Sequence, residues 1–122
     1  MPNISRYIRT VLVIDDDPDT VALMDLILTR AGYDVRTASN GLLAIDCIER
    51  GERPVVIILD MLMPAMDGRA FLRHRQTDPI LARIPVIAVS GTEGLPIDGI
   101  QAFIRKPFDA DHFLTTVKAI AS

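Results

Sequence analysis

Four short apolar runs dominate this 122-residue chain, and each ends at a residue capable of chemistry. Val11-Leu12-Val13-Ile14 stops at Asp15-Asp16, and the run from Val55 to Leu59 stops at Asp60. Val86 to Val89 stops at Ser90, and Ala102-Phe103-Ile104 leads to Lys106-Pro107. Continuous β-branched runs of this length read as strands covered on both faces. Helical patterns lie between them, and such β/α alternation specifies a single doubly wound sheet. In an open parallel sheet, ligands bind in the crevice at the carboxyl ends of the strands. Residues far apart in the chain are therefore expected to meet there.

The helices are read from caps and stripes. The first starts near Pro18, carries Val21, Met24, Ile27, Leu28 and Ala31 on one face, and stops at Gly32. Tyr33 to Ala38 is a weaker strand with Val35 pointing inward. Ser39-Asn40-Gly41 turns the chain into a second helix, which Gly51 closes. A third is expected from Gly68 to Arg75, with Arg69, Arg73, His74 and Arg75 on a solvated face. The last begins at Asp109, a good N-cap, and runs to the chain end. Gly91, Gly94, Pro96 and Gly99 predict a loop or single turn between the last two strands.

Hydrophobic residues make up 49% of the chain and charged ones 24%, which argues for a folded domain rather than disorder. The reading is one domain over 1–122, with 1–9 as an N-terminal extension. A net charge of −3 gives no reason to expect nucleic-acid binding. A single cysteine, Cys47, rules out an internal disulfide and suits a reducing cytoplasm. Its place beside Leu43, Ala44 and Ile48 predicts a buried, inert thiol. No signal peptide is visible in the first ten residues, and no apolar run reaches membrane-spanning length.

Neighbouring strands lie about 5 Å apart, so Asp15, Asp16 and Asp60 would crowd one another unless neutralised. A hard divalent cation such as Mg²⁺ relieves that repulsion and also accepts phosphoryl oxygens. Asp60 could then attack phosphorus to give an aspartyl phosphate, with Lys106 supplying a cation and Ser90 a hydroxyl donor. Blander readings stand beside this one. Asp15 and Asp16 could be charges at a helix N-terminus, Ser90 a strand-end turn residue and Phe103 plain core. Asp17 and Asp19 are better explained as loop and first-turn residues. A calcium loop starting at Asp15 fails, because Thr20 and Leu26 stand where it needs Gly and Glu. His74 and His112 have no partner at metal-ligand spacing, Met61, Met63 and Met66 read as loop packing, and Asp67-Gly68 as a turn and helix start.

The blocks Val13-Ile14-Asp15-Asp16-Asp17-Pro18, Asp60 through Gly68, Ser90-Gly91 and Lys106-Pro107-Phe108 resemble the signatures of bacterial two-component response-regulator receiver domains, chemotaxis-regulator-like in form. The resemblance implies a flavodoxin-like five-stranded parallel sheet of order 2-1-3-4-5 with helices on both faces. It makes Asp60 the site phosphorylated by a sensor histidine kinase or phosphotransfer protein. It makes Asp15, Asp16 and Asp60 the Mg²⁺ carboxylates, with Leu62 offering its backbone carbonyl. Ser90 matches the hydroxyl residue that closes on the phosphoryl group, Lys106 the lysine that pairs with it, and Phe103 the aromatic switch. It also implies a cis bond before Pro107, a cytoplasmic location, and a downstream protein target or an effector domain outside this chain.

Two departures stand out. The interval from Ser90 to Lys106 is short by several residues, so the helix four of such domains is shortened or missing and the usual output face is remodelled. Leu62 and Thr92 occupy positions that influence water access in the family, and an apolar Leu62 predicts slow loss of phosphate. The expected function is a phosphorylation-activated switch rather than an enzyme in the ordinary sense. One alternative is a receiver-like interaction module that is never phosphorylated. The other is an aspartate-nucleophile phosphatase around Asp17-Pro18-Asp19-Thr20-Val21, weakened because its first Asp lies two residues late.

Overall fold

A computed structural model of the protein describes residues 9–63, 66–91 and 97–121. The elements run β1 (Thr10–Ile14), α1 (Pro18–Arg30), β2 (Asp34–Ala38), α2 (Gly41–Glu49), β3 (Val56–Asp60), α3 (Gly68–Thr77), a 3₁₀ turn (Leu81–Arg83), β4 (Val86–Ser90), β5 (Ala102–Arg105) and α4 (Ala110–Ala121). All pairings are parallel, and the sheet order is β2-β1-β3-β4-β5, as the resemblance implies. Among the described residues no α-helix joins β4 to β5. Gly94 and Pro96 lie outside the described residues, as do residues 1–8 of the proposed extension. Gly99, at φ +85°, makes the turn into β5 with a backbone that L side chains rarely adopt.

Alternation along the central strands builds two cores, because successive side chains point to opposite faces. Leu12, Ile14, Ile57, Leu59, Val86 and Ala88 pack with Ala44 and Ile48 of α2 and Phe71 and Leu72 of α3. Val11, Val13, Val56, Ile58, Ile87, Val89 and Ile104 pack with Met24 and Leu28 of α1 and Phe113 and Val117 of α4. Burying each such Leu, Ile or Phe contributes about 1.5–3 kcal/mol. That is why the central runs can be apolar on both faces, while the edge strand β2 is buried fully only at Ala38.

The helix ends follow their caps. The Asp17 carboxylate accepts from the backbone N–H groups of Asp19 and Thr20 ahead of Pro18, and Gly32 (φ +96°) ends α1. Asn40 and Asp109 cap α2 and α4 through Leu43 N (2.9 Å) and His112 N (3.0 Å).

Two burial expectations are corrected. Cys47 is only partly buried and Leu43 is exposed, because α2 meets the sheet through Gly41, Ala44 and Ile48. Leu43 and Cys47 each precede a contact residue by one position, which rotates them about 100° off the seam. The Arg69, Arg73, His74 and Arg75 cluster is not one solvated face either. Arg75 is 7% exposed and sits at helical spacing from Phe71 and Leu72, on the inward side of α3. Its guanidinium donates to Ile84 O (3.1 and 2.8 Å), Ala82 O (3.2 Å) and Gly99 O (3.1 Å). Burial pushes this group below its ordinary pKa, and hydrogen bonds to carbonyls are what make the position tolerable.

Candidate functional site

Strand register brings the expected residues to one edge of the sheet. Ile14 lies opposite Leu59 in β1/β3 and Asp60 opposite Val89 in β3/β4, so Asp15 and Asp60 emerge side by side. Ser90 lies opposite Arg105, and Lys106 N donates to Ser90 O at 2.8 Å, which places the lysine next in line. The Lys106-Pro107 peptide is cis. The Lys106 ammonium stands 3.1 Å from Asp15 Oδ2 and 3.8 Å from Asp60 Oδ1.

Each carboxylate is held from the backbone as well. Asp15 Oδ1 accepts from Asp17 N at 2.9 Å, and Asp60 Oδ1 from Leu62 N at 3.2 Å. Asp15, Asp60 and Ser90 are buried, whereas Asp16 is exposed. Carboxylate oxygens of Asp15, Asp16 and Asp60 all lie within 4.8 Å of one another. Burial first, and then the charges of Asp15 and Asp16, push the Asp60 pKa above its ordinary value, against the opposing Leu62 N–H and Lys106. Three hard oxygen donors that repel one another at this separation fit a divalent cation with oxygen ligands. Leu62 is present at the site through its N–H, with its side chain 65% exposed.

Beside Asp60, a cavity of about 150 Å³ is lined by Met61, Leu62, Asp67, Arg69, Ser90, Ile97 and Phe103. Phe103 is 39% exposed, because β5 turns Ile104 toward the α1/α4 core and leaves Phe103 on the other face, where no helix among the described residues covers it. The plain-core reading of Phe103 therefore does not hold. Met61 and Met63 are buried and Met66 packs against them, in keeping with a packing role. Thr92, and Pro64-Ala65 of the Asp60 block, lie outside the described residues.

Two contributors were not legible as such. Gly68 does more than start a helix: a Cβ there would come within 2.7 Å of Met61 Cα, so only glycine lets α3 close against the residue after Asp60. Asp67 caps that helix through Ala70 N at 2.8 Å. Arg69, in the first turn of α3, reaches the same cavity as Ser90. Its signal was its place one residue after Gly68, which a reading of α3 as a solvated face hid.

Residues 11–118 match the family described as Response regulator receiver domain. The chain belongs to that family. Response regulator PleD of Caulobacter vibrioides is 33% identical over 116 residues, covering 90% of this chain and 25% of PleD. The chain thus spans a quarter of that relative's length. Among solved structures, the receiver resembles chemotaxis protein CheY4 of Vibrio cholerae, with a TM-score of 0.84, 27% identity and coverage of 93% of this chain and 98% of that one. It also resembles the receiver domain of sensor histidine kinase PA1611 from Pseudomonas aeruginosa PAO1, solved with a magnesium ion coordinated in its active site cleft. That pair has a TM-score of 0.82, 24% identity and coverage of 94% of this chain and 99% of that one, a likeness of fold alone. No helix among the described residues of the receiver is long and apolar enough to cross a membrane.

Proposed function

We propose that this receiver domain is a phosphorylation-controlled switch whose acceptor is Asp60. The observation that carries the reading is the placement of one buried carboxylate, Asp60, within reach of both an acidic partner set and the Lys106 ammonium. An Asp60 oxygen attacks the phosphorus of a phosphohistidine in a sensor kinase or phosphotransfer protein. The P–O bond forms as the P–N bond breaks, and the electron pair leaves with the imidazole. Mg²⁺, when bound, supplies a positive centre that offsets charge on the transferring phosphoryl oxygens. Asp15, Asp16, Asp60 and the carbonyl of Leu62 are the groups that would hold it.

The rest is done by the chain's own side chains. Lys106 already pairs with Asp15 and faces Asp60, so it can take a phosphoryl oxygen as a charge-assisted partner. The Ser90 hydroxyl, on the cavity wall, can donate to a second oxygen. Phe103 stands at the same cavity, and its inward turn would follow movement of Ser90. Two populations of the domain then differ at the β4–β5 side, and a phosphoryl group shifts the balance by its better contacts in one of them. A downstream protein, or an effector domain elsewhere in a longer polypeptide, would read that difference in the cytoplasm. The domain itself turns over no substrate beyond its own phosphoryl group.

The test is incubation with acetyl phosphate and Mg²⁺, following the acyl phosphate on a phosphate-affinity gel. Native protein is expected to acquire an acid-stable, hydroxylamine-labile label that Asp60→Asn lacks. A native protein that never labels would favour an interaction module instead.

A further inference from the structure

We infer that Arg69 is a second cation for the phosphoryl group, reaching it from α3 on the side opposite Lys106; this rests on Asp60 being the acceptor. Lys106 and Arg69 line two different cavities. Lys106 lines one with Thr20, Leu23, Pro107 and Phe108, toward α1. Arg69 lines the other with Leu62 and Ser90, toward α3. Among the described residues its guanidinium has no hydrogen-bond or ion-pair partner, unlike Arg36 and Arg50, which are committed to carboxylates. The acid on the same wall, Asp67, is engaged as the α3 cap.

Charge balance gives Arg69 its use. Asp15, Asp16 and Asp60 set three negative charges against the single ammonium of Lys106. Even with a divalent cation present, converting the Asp60 carboxylate to a dianionic acyl phosphate leaves one negative charge unmatched. A planar guanidinium with several N–H donors is suited to phosphate oxygens. Arg73, one turn further along α3, lines a neighbouring cavity that Arg69 also borders, with Leu72, Gln76 and Asp98, but not the one that Ser90 lines, and serves as the control for charge acting at a distance.

The experiment compares labelling rates by acetyl phosphate in native protein, Arg69→Ala, Arg69→Lys and Arg73→Ala, with thermal melts confirming that each folds. Arg69→Ala should slow acyl-phosphate formation about fivefold, with Arg73→Ala within about twofold of native, the upper end expected for an exposed charge contact. Arg69→Lys should recover part of the rate. Raising salt should slow the native protein toward the Arg69→Ala rate. Equal rates for native and Arg69→Ala, or an equal loss in Arg73→Ala, would overturn the inference while leaving Asp60 in place. A native protein that takes no label overturns both.

Discussion

The Lys106 ammonium bridges two buried carboxylates, at 3.1 Å from Asp15 and 3.8 Å from Asp60, and so ties the end of β1 to the end of β3 through β5. The closer partner is the one most removed from water: the Asp15 side chain is 1% exposed. Lys106→Met would leave Asp15 charged inside the protein without its cation. Breaking a fully buried pair this way costs about 3–5 kcal/mol. Lys106 is 25% exposed, so solvent screens part of the loss, and we expect about 1–3 kcal/mol in urea unfolding at neutral pH. Adding Asp15→Asn should recover most of it, since the double variant no longer holds an unpaired charge. A double variant as unstable as Lys106→Met alone would show that the pair is not the cause.

Asp60 carries a stability signature that depends on pH. Its carboxyl is raised above the ordinary 3.8 by burial and then by Asp15 and Asp16. A carboxyl that binds its proton more tightly in the folded state favours folding below its unfolded pKa. That contribution is lost as pH rises through the folded value. At neutral pH the ionised Asp60 therefore weighs against folding. Asp60→Asn should melt higher than native protein at neutral pH, with the gap closing as the solution is acidified toward about pH 3. A variant less stable than native across that whole range would contradict the electrostatic account.

Asp16 separates metal binding from folding. It is the exposed member of the acidic trio. Mg²⁺ that binds only the folded state stabilises it by mass action, by about 1.4 kcal/mol at ten times its dissociation constant. Native protein should thus melt higher in Mg²⁺, and Asp16→Asn should keep its metal-free melting temperature while losing most of the increment. An undiminished increment in Asp16→Asn would remove that residue from the ligand set.

Leu62 bears on how long the phosphoryl group lasts. Its N–H holds Asp60, while its apolar side chain stands exposed at the cavity mouth and cannot orient an attacking water. Leu62→Asn supplies an amide at that mouth, so phosphate should be lost faster, by about threefold to tenfold if one water contact is gained. Equal or slower loss after removal of the phosphodonor would refute the role given to this side chain.

What could be read from the chain follows from burial. β1, β3 and β4 are covered on both faces, so their runs are almost wholly apolar and their polar ends mark the site. The convergence of Asp15, Asp60 and Lys106 was legible for the same reason, since register in a parallel sheet aligns strand ends. Contacts that depend on distance rather than pattern were not legible. Gly68 looks like any turn glycine until Met61 is seen against it. Arg75 was misread because a charged residue beside Arg73 and His74 suggests solvent. Its spacing of four from Phe71 and three from Leu72 was the signal that it faces inward.

Arg75 supplies three backbone carbonyls with donors from within the fold. It donates to Ala82 and Ile84 at the 3₁₀ turn and to Gly99 at the approach to β5, the strand that carries Phe103 and leads to Lys106. Replacing a buried charge by an apolar group of similar length is often harmless when its partners leave with it. Here the partners are backbone and remain. Arg75→Met should therefore destabilise the domain by about 1–3 kcal/mol, the range for buried polar groups left unsatisfied. Because only the Gly99 bond reaches the β4–β5 connection, hydrogen exchange should accelerate most at Ile100 and Gln101, beyond what the global loss accounts for. A Met variant as stable as native, with unchanged exchange there, would mean that the carbonyls find other donors and that Arg75 is not the strut.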